Sequence, residues 1–170
     1  MKGAGIIIAG AGAALIGYAL FSPFRVVMGF RKGVPFPVTV RRVGRLWNGD
    51  WAWMELKAAD AFEGLRRSAY AAGLDLPLSA AFRSWQEQAA MKAKRLLFGG
   101  PPTADPGYSN HQEGTTVDID IGVRDAMTNY RSSRVWHWLR ENARSYGFVD
   151  DVYQPGNPKY EPWHWRYYGE

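Results

Sequence analysis

Two of the three histidines in the sequence stand close to a carboxylate. His111 precedes Asp118 by seven residues, and His164 follows Glu161 by three. A hydrolytic zinc site needs three protein ligands drawn from neutral imidazoles and carboxylates, with a fourth position open for water. Two histidines and one aspartate meet that need. Glu161 would then be a carboxylate that is not a ligand and that can accept the proton of an attacking water.

These side chains can converge only if the chain bends between them. In a straight strand, positions seven or three residues apart point to opposite faces. Gly114 can supply a bend within the first pair, and Pro162 can supply one within the second. Residues 117–121 alternate apolar and acidic side chains, which predicts a half-buried strand whose two carboxylates share one face.

Three further polar residues near these candidates are interpreted as structural or solvated. His137 lies in the middle of a predicted helix between two tryptophans, so we expect a structural role. Asp120 could orient a ligand imidazole, but the interpretation we favour is a solvated residue on the polar face of its strand. Glu113 is predicted to be a surface charge in a loop.

The hydrophobic pattern predicts alternating helices and strands around the candidates. Gly73 and Gly147 are natural ends for two of the helices, and Ser84 can cap a third. The predicted elements are, in chain order, helix 51–72, strand 76–83, a helix from 85 to 97, strand 117–121, helix 135–146 and strand 160–168.

The composition fits one globular domain. The chain has 170 residues, of which 46% are hydrophobic, enough for a core. It has no cysteine, which excludes disulfides, thiolate ligands and thiol nucleophiles. A formal net charge of +5 suits an acidic partner such as nucleic acid, anionic lipid or a carboxylate-rich wall polymer. A nucleic-acid partner is not expected, because no clustered basic face with interleaved aromatics is visible.

The first residues form a separate apolar segment. Residues 4–24 carry no charge and are long enough to cross a bilayer, so residues 1–24 are predicted to be a signal peptide or a membrane anchor. Basic residues follow this segment, which by the positive-inside rule would favour a cytoplasmic location for the rest. A buried helix is the third alternative. Prolines and glycines predict a linker over residues 25–46, and the domain is expected at 47–170.

Three segments resemble the motifs of one family. Residues 109–118 read SNHQEGTTVD and resemble the S-x-H-x-x-G-x-A-x-D signature of VanY-type D-alanyl-D-alanine carboxypeptidases. Residues 161–164, EPWH, resemble the second signature of these enzymes, E-x-W-H, and residues 82–88, FRSWQEQ, resemble their Y-R-S-Y-x-x-Q segment. The order agrees, and the resemblance covers residues 50–169. Thr116 departs from the pattern, because the family usually has Ala there.

The resemblance implies a function and a fold. These enzymes belong to the LAS group of zinc peptidases, which is named for lysostaphin, D-Ala-D-Ala peptidases and sonic hedgehog. It implies a small α+β domain in which helices pack on one side of a mostly antiparallel sheet, a bound zinc ion and peptidoglycan stem peptides as substrates. The roles it implies are zinc ligands for His111, Asp118 and His164, general base for Glu161, catalysis and substrate binding for Arg83, and substrate binding for Ser109 and Gln88.

Several alternatives stay open at this point. The resemblance favours a carboxypeptidase that trims a terminal D-alanine, but a peptidoglycan endopeptidase similar to phage endolysins would use the same chemistry. A zinc-bearing binding module without catalysis is the alternative from another functional class. For the carboxypeptidase we expect export to the periplasm or cell envelope, possible membrane association through residues 4–24, and a monomer.

Overall fold

The structure, a computed structural model, describes residues 22–169 of the chain. Most of the segment predicted as a signal peptide or membrane anchor, residues 1–24, lies outside this range. Within residues 22–169, none of the helices is both long and apolar enough to span a bilayer.

Two antiparallel sheets and four α-helices make up the described fold. The first sheet has the strand order β1-β2-β3 and the second has the order β4-β5-β7-β6. The strands are β1 (Phe24–Arg31), β2 (Val34–Arg45), β3 (Trp51–Glu55), β4 (Leu78–Ala80), β5 (Thr116–Ile119), β6 (Phe148–Val149) and β7 (His164–Tyr167). The helices are α1 (Leu56–Ala71), α2 (Trp85–Phe98), α3 (Ala126–Asn129) and α4 (Arg134–Asn142). The predicted α+β class with antiparallel pairing is confirmed, although the strands form two sheets.

Residues 25–46 are not a linker, so that prediction is wrong. They form β1 and β2, and Val38 and Val40 of β2 are buried against Trp53 of β3. The prolines that suggested a linker are tolerated because β3 pairs with β2 only from Val40 onward. Pro35 and Pro37 therefore lie where β2 has one neighbouring strand, and their missing N–H groups break no ladder. The folded unit thus begins before residue 47.

The first helix was predicted to begin at residue 51, but it begins five residues later, at Leu56. Residues 51–55 form β3, because successive side chains point alternately into two different hydrophobic clusters. Ala52 and Met54 join the main core, whereas Trp53 packs with the β2 valines. Glu55 then caps α1 by accepting the backbone N–H groups of Lys57 and Ala58 at 3.0 and 3.1 Å. The predicted end of this helix is confirmed, since α1 stops just before Gly73.

The main core lies between α1, α4 and the second sheet. Phe62 of α1 meets Phe148 of β6 edge to face at 6.1 Å, and Trp165 of β7 is buried in the same cluster. Burying a side chain of the size of phenylalanine contributes about 1.5–3 kcal/mol, so these contacts fix β7 firmly. Ser84 caps α2 as predicted, in a reciprocal capping box with Glu87.

The buried hydroxyl of Thr116 leads to a stability prediction. Thr116 is fully buried in β5, and its hydroxyl oxygen has no hydrogen-bond partner among the described residues. A buried polar group without a partner costs about 1–3 kcal/mol. We expect Thr116→Val, which keeps the shape and removes the hydroxyl, to raise the free energy of unfolding by about 1 kcal/mol in urea denaturation.

Thr128→Val is the matched control for this substitution. The Thr128 hydroxyl is exposed and donates to the Asp125 carboxylate at 2.7 Å, so its removal should leave stability equal or slightly lower. A loss of stability in Thr116→Val would mean that the buried hydroxyl has a partner, such as a bound water.

Candidate metal centre and active-site cleft

Two imidazoles and one carboxylate meet at the edge of the second sheet. His111, Asp118 and His164 each offer one ligand atom, and these three atoms lie within 4.8 Å of one another. The Asp118 Oδ1 atom is 3.3 Å from His111 Nε2 and 3.1 Å from His164 Nδ1. The two imidazole rings stand nearly perpendicular, with centroids 5.1 Å apart. The structure therefore brings the three predicted ligands together.

Strand register and one glycine produce this convergence. Asp118 of β5 is directly opposite His164 of β7 in the antiparallel ladder. His111 lies in a short 3-10 helix, Asn110–Glu113, that ends at Gly114 with φ of +81°. That left-handed conformation favours glycine, and a Cβ there would lie 3.3 Å from the backbone nitrogen of Glu55. The bend predicted at Gly114 is thus confirmed, and it turns the chain from the 3-10 helix into β5.

A backbone carbonyl fixes the orientation of His111. The Nδ1 atom of His111 lies 2.9 Å from the carbonyl oxygen of Ala81. A carbonyl can only accept, so Nδ1 carries the proton and donates it. In the neutral ring, Nε2 then presents its lone pair toward Asp118. Hydrogen bonds of this kind typically orient histidines that bind metals.

His164 points its two ring nitrogens at different carboxylates. Nδ1 faces Asp118, and the Glu161 Oε2 atom is 3.7 Å away from it. Nε2 is buried, has no hydrogen-bond partner among the described residues and lies 3.9 Å from Asp151 Oδ1. Asp151 was missed by sequence reasoning, because it lies in an irregular loop without a recognisable motif. The 3.9 Å separation is too long for a hydrogen bond, but the negative charge of Asp151 favours a proton on Nε2, which leaves the lone pair on Nδ1.

Burial and charge shift the pKa values of the cluster in different directions. Burial alone would raise the pKa of the Asp118 carboxyl, but the charges and hydrogen bonds of the two imidazoles outweigh it and hold that pKa well below its usual range. Burial lowers the pKa of His111 further than Asp118 can raise it. For His164 burial also acts to lower the pKa, but the hydrogen bond to Asp118 and the nearby carboxylate charges together outweigh it and raise the pKa.

Glu161 and Arg83 line the same cleft as the cluster. Burial raises the pKa of Glu161, and the nearby His164 opposes that rise in part. The Arg83 backbone N–H donates to the carbonyl oxygen of His111 at 3.1 Å, which ties the two residues together. Its guanidinium donates to the Gln88 side-chain oxygen at 2.9 Å. Gln88, which is 1% exposed, donates in turn to the Ala104 carbonyl at 2.8 Å.

The cleft between these side chains has a volume of about 320 Å³. All seven residues predicted for the site line it, including the buried Ser109. Trp163 also lines the cleft, whereas Trp165, two positions along, is buried in the core. Asp120 is exposed and accepts the Gly122 N–H at 2.9 Å, which agrees with its interpretation as a solvated residue.

Glu113 is not a surface charge, so that prediction is wrong. Its side chain is 8% exposed and pairs with two arginines, Arg31 of β1 at 2.7 Å and Arg166 of β7 at 3.0 Å. Glu113 and Arg166 lie two positions after His111 and His164, so this ion pair links the two segments that carry the imidazoles. The sequence does not predict these ion pairs of Glu113, because Arg31 and Arg166 are far from Glu113 and from each other along the chain.

Comparison with known proteins agrees with this geometry. Residues 52–170 match the family model described as VanY: D-alanyl-D-alanine carboxypeptidase. A D-alanyl-D-alanine carboxypeptidase of Enterococcus faecium is 26% identical over 122 residues, which cover 69% of this chain and 38% of that protein. The chain thus spans well under half the length of this curated relative. Residues 24–45, which form β1 and β2, precede the matched region.

Solved structures show the same fold. The vancomycin-resistance D,D-pentapeptidase VanY, as a variant in complex with Zn(II), is 26% identical with a TM-score of 0.59, covering 82% of this chain and 86% of that one. The LdcB LD-carboxypeptidase is 28% identical with a TM-score of 0.57, covering 68% of this chain and 59% of that one. The family model matches more than half of the chain. The chain belongs to the VanY D-alanyl-D-alanine carboxypeptidase family.

Proposed function

We propose that this protein is a zinc-dependent carboxypeptidase that removes a terminal D-alanine from peptidoglycan stem peptides. The observation that carries the proposal is the convergence of His111, Asp118 and His164 within 4.8 Å, with Glu161 and Arg83 in the same cleft. The names of the relatives support it, since they are carboxypeptidases and one solved relative holds Zn(II).

The donor set of the cluster fits zinc. Zinc accepts imidazole nitrogens and carboxylate oxygens, and its catalytic sites use three protein ligands. His111 offers Nε2, His164 offers Nδ1 and Asp118 offers Oδ1. The other ring nitrogen of His111 donates to the Ala81 carbonyl, and the other ring nitrogen of His164 faces the negative charge of Asp151 at 3.9 Å.

Each nearby side chain has a task in peptide hydrolysis. A zinc ion at this cluster would lower the pKa of a bound water to about 7 and so supply the nucleophile. Glu161, whose Oε2 atom is 3.7 Å from His164 Nδ1, would accept the proton of that water and pass it to the leaving amine. Arg83 can form a bidentate contact with the terminal carboxylate of the substrate or stabilise the negative charge on the scissile carbonyl oxygen. Gln88 limits the positions that the Arg83 guanidinium can take.

The identity of the released fragment tests the proposed bond. Purified zinc-loaded protein is incubated with a muropeptide whose stem ends in D-Ala-D-Ala, and the products are weighed by mass spectrometry. We expect the loss of one alanine. A cut inside the stem or the crosslink would show an endopeptidase instead. A protein that binds zinc and releases nothing would be a binding module.

Binding of one zinc ion should release one proton, so the zinc affinity should depend on pH. His164 must lose its proton before Nδ1 can bind a metal, and its raised pKa places that loss above its ordinary value of 6.5. His111 is already neutral there, because its pKa lies below 6.5. Near pH 6.5, affinity should fall about tenfold for each unit of acidification, as measured by competition with a chromophoric chelator. A hundredfold fall per unit would mean that both imidazoles release protons.

We also propose that the protein is exported, because its proposed substrate lies outside the cytoplasmic membrane. Residues 4–24 would serve as the signal peptide or as an anchor. Amino-terminal sequencing of the protein recovered from the cell envelope distinguishes the two, since a cleaved signal peptide would leave a mature chain beginning near residue 25. Recovery from the cytoplasm alone would contradict the proposal.

A further inference from the structure

A second and larger groove opens next to the active-site cleft. Its volume is about 890 Å³, against about 320 Å³ for the cleft. Tyr108 and Asn110 line both, so the groove and the cleft share a wall. The remaining walls come from the turn between β1 and β2, the start of α1 and the end of β7. We call this space the basic groove, after four of the residues that line it: Arg31, Lys32, Lys57 and Arg166.

The basic groove presents positive charge that its own acidic residues do not neutralise. Glu113 is committed to Arg31 and Arg166 by ion pairs of 2.7 and 3.0 Å. Glu55, the other acidic residue of the wall, caps the start of α1. Lys32 and Lys57 are exposed, and none of the ion pairs among residues 22–169 includes either of them. The charge available to a ligand is therefore positive.

The turn that carries Lys32 is fixed against the cleft. Gly33, the next residue, donates its N–H to the Gly107 carbonyl at 2.9 Å. A Cβ at Gly33 would lie 2.9 Å from the Tyr108 hydroxyl, so the turn packs against the loop that leads to the cleft. The turn that carries Lys32 is thus fixed against a residue, Tyr108, that also lines the cleft.

We infer that the basic groove binds a second, carboxylate-bearing peptide of the same wall polymer while the first peptide occupies the cleft. This inference rests on the proposed function. The wall shared through Tyr108 and Asn110 places such a peptide next to the one in the cleft, and the positive charges of Lys32 and Lys57 favour carboxylates. Two exposed tyrosines, Tyr108 and Tyr168, offer flat surfaces to the peptide between its charges.

The test compares two substrates of different size. One is a short tripeptide ending in D-Ala-D-Ala, which can fill the cleft alone, and the other is a crosslinked muropeptide dimer that reaches the groove. For the double variant Lys32→Glu/Lys57→Glu, we expect the ratio of kcat/KM on the dimer to kcat/KM on the tripeptide to fall by roughly 5- to 10-fold relative to wild type. Added salt should lower the same ratio in the wild type.

The double variant Lys94→Glu/Arg144→Glu is the matched control. Both residues are exposed, lie outside the groove and change the net charge by the same amount. An unchanged ratio in Lys32→Glu/Lys57→Glu, or an equal fall in the control, would overturn the inference. If the wild type releases no alanine from either substrate, the proposed function fails. Calorimetric binding of the dimer to the same three proteins then tests the groove, which is refuted if the affinities are equal.

Discussion

Replacing Glu161 by glutamine should lower kcat by about 10²- to 10⁴-fold while the zinc content stays that of the wild type. Glutamine keeps the shape of the side chain but cannot accept a proton, and general-base catalysis commonly contributes a factor of this size. The Glu161 carboxylate lies 3.7 Å from His164 Nδ1. It is not one of the three proposed ligands, whose atoms all lie within 4.8 Å of one another. Removing its charge should therefore affect proton transfer much more than metal binding.

Turnover of a D-Ala-D-Ala peptide and zinc analysis of the same samples check this expectation. Glu141→Gln provides the control, because Glu141 is an exposed carboxylate on α4, remote from the cleft. Its activity should equal that of the wild type. Should Glu161→Gln keep wild-type turnover, another group must accept the proton. Loss of zinc from this variant would instead make Glu161 a ligand.

Replacing Asp118 by asparagine should weaken zinc binding and lower turnover together. Asp118 Oδ1 lies between both imidazoles, at 3.3 Å and 3.1 Å, and it is the anionic member of the cluster. Loss of a group that only orients a ligand costs about 10- to 100-fold in metal affinity. We expect a larger loss here, on the order of 10³-fold, because the substitution removes a charged ligand.

Asp120→Asn is a closely matched control for this change. Asp120 lies two positions further along the chain, is exposed and accepts one backbone N–H group. Zinc affinity and turnover of Asp120→Asn should stay within a factor of about two of the wild type. Equal losses in the two variants would show that any negative charge near this strand suffices, and would contradict a ligand role specific to Asp118.

The residues of the candidate site were predictable from the sequence because each motif is local. The 109–118 segment contains two of the proposed ligands, His111 and Asp118, and the glycine that turns the chain between them. The 161–164 segment contains the proposed base, Glu161, and the third proposed ligand, His164. In the structure, β5 pairs with β7 in the register that places Asp118 opposite His164. Local capping was equally readable, since Ser84 and Glu87 have the spacing of a capping box.

Features that depend on distant contacts were not predictable. Residues 25–46 were predicted to be a linker because Pro35 and Pro37 disfavour a central strand. They are tolerated because β3 pairs with β2 only from Val40 onward, which leaves the prolines beside one strand, β1. Glu113 read as a surface charge because its partners, Arg31 and Arg166, come from opposite ends of the described chain. Burial of such a carboxylate follows from tertiary pairing, which local patterns do not encode.

Crystals of the zinc-loaded protein, measured on both sides of the zinc absorption edge, test the central claim most directly. The anomalous difference map should show one zinc peak in contact with His111 Nε2, a carboxylate oxygen of Asp118 and His164 Nδ1, with Glu161 beside the peak but not bound to it. A zinc peak elsewhere, or one that contacts a single member of this cluster, would contradict the claim.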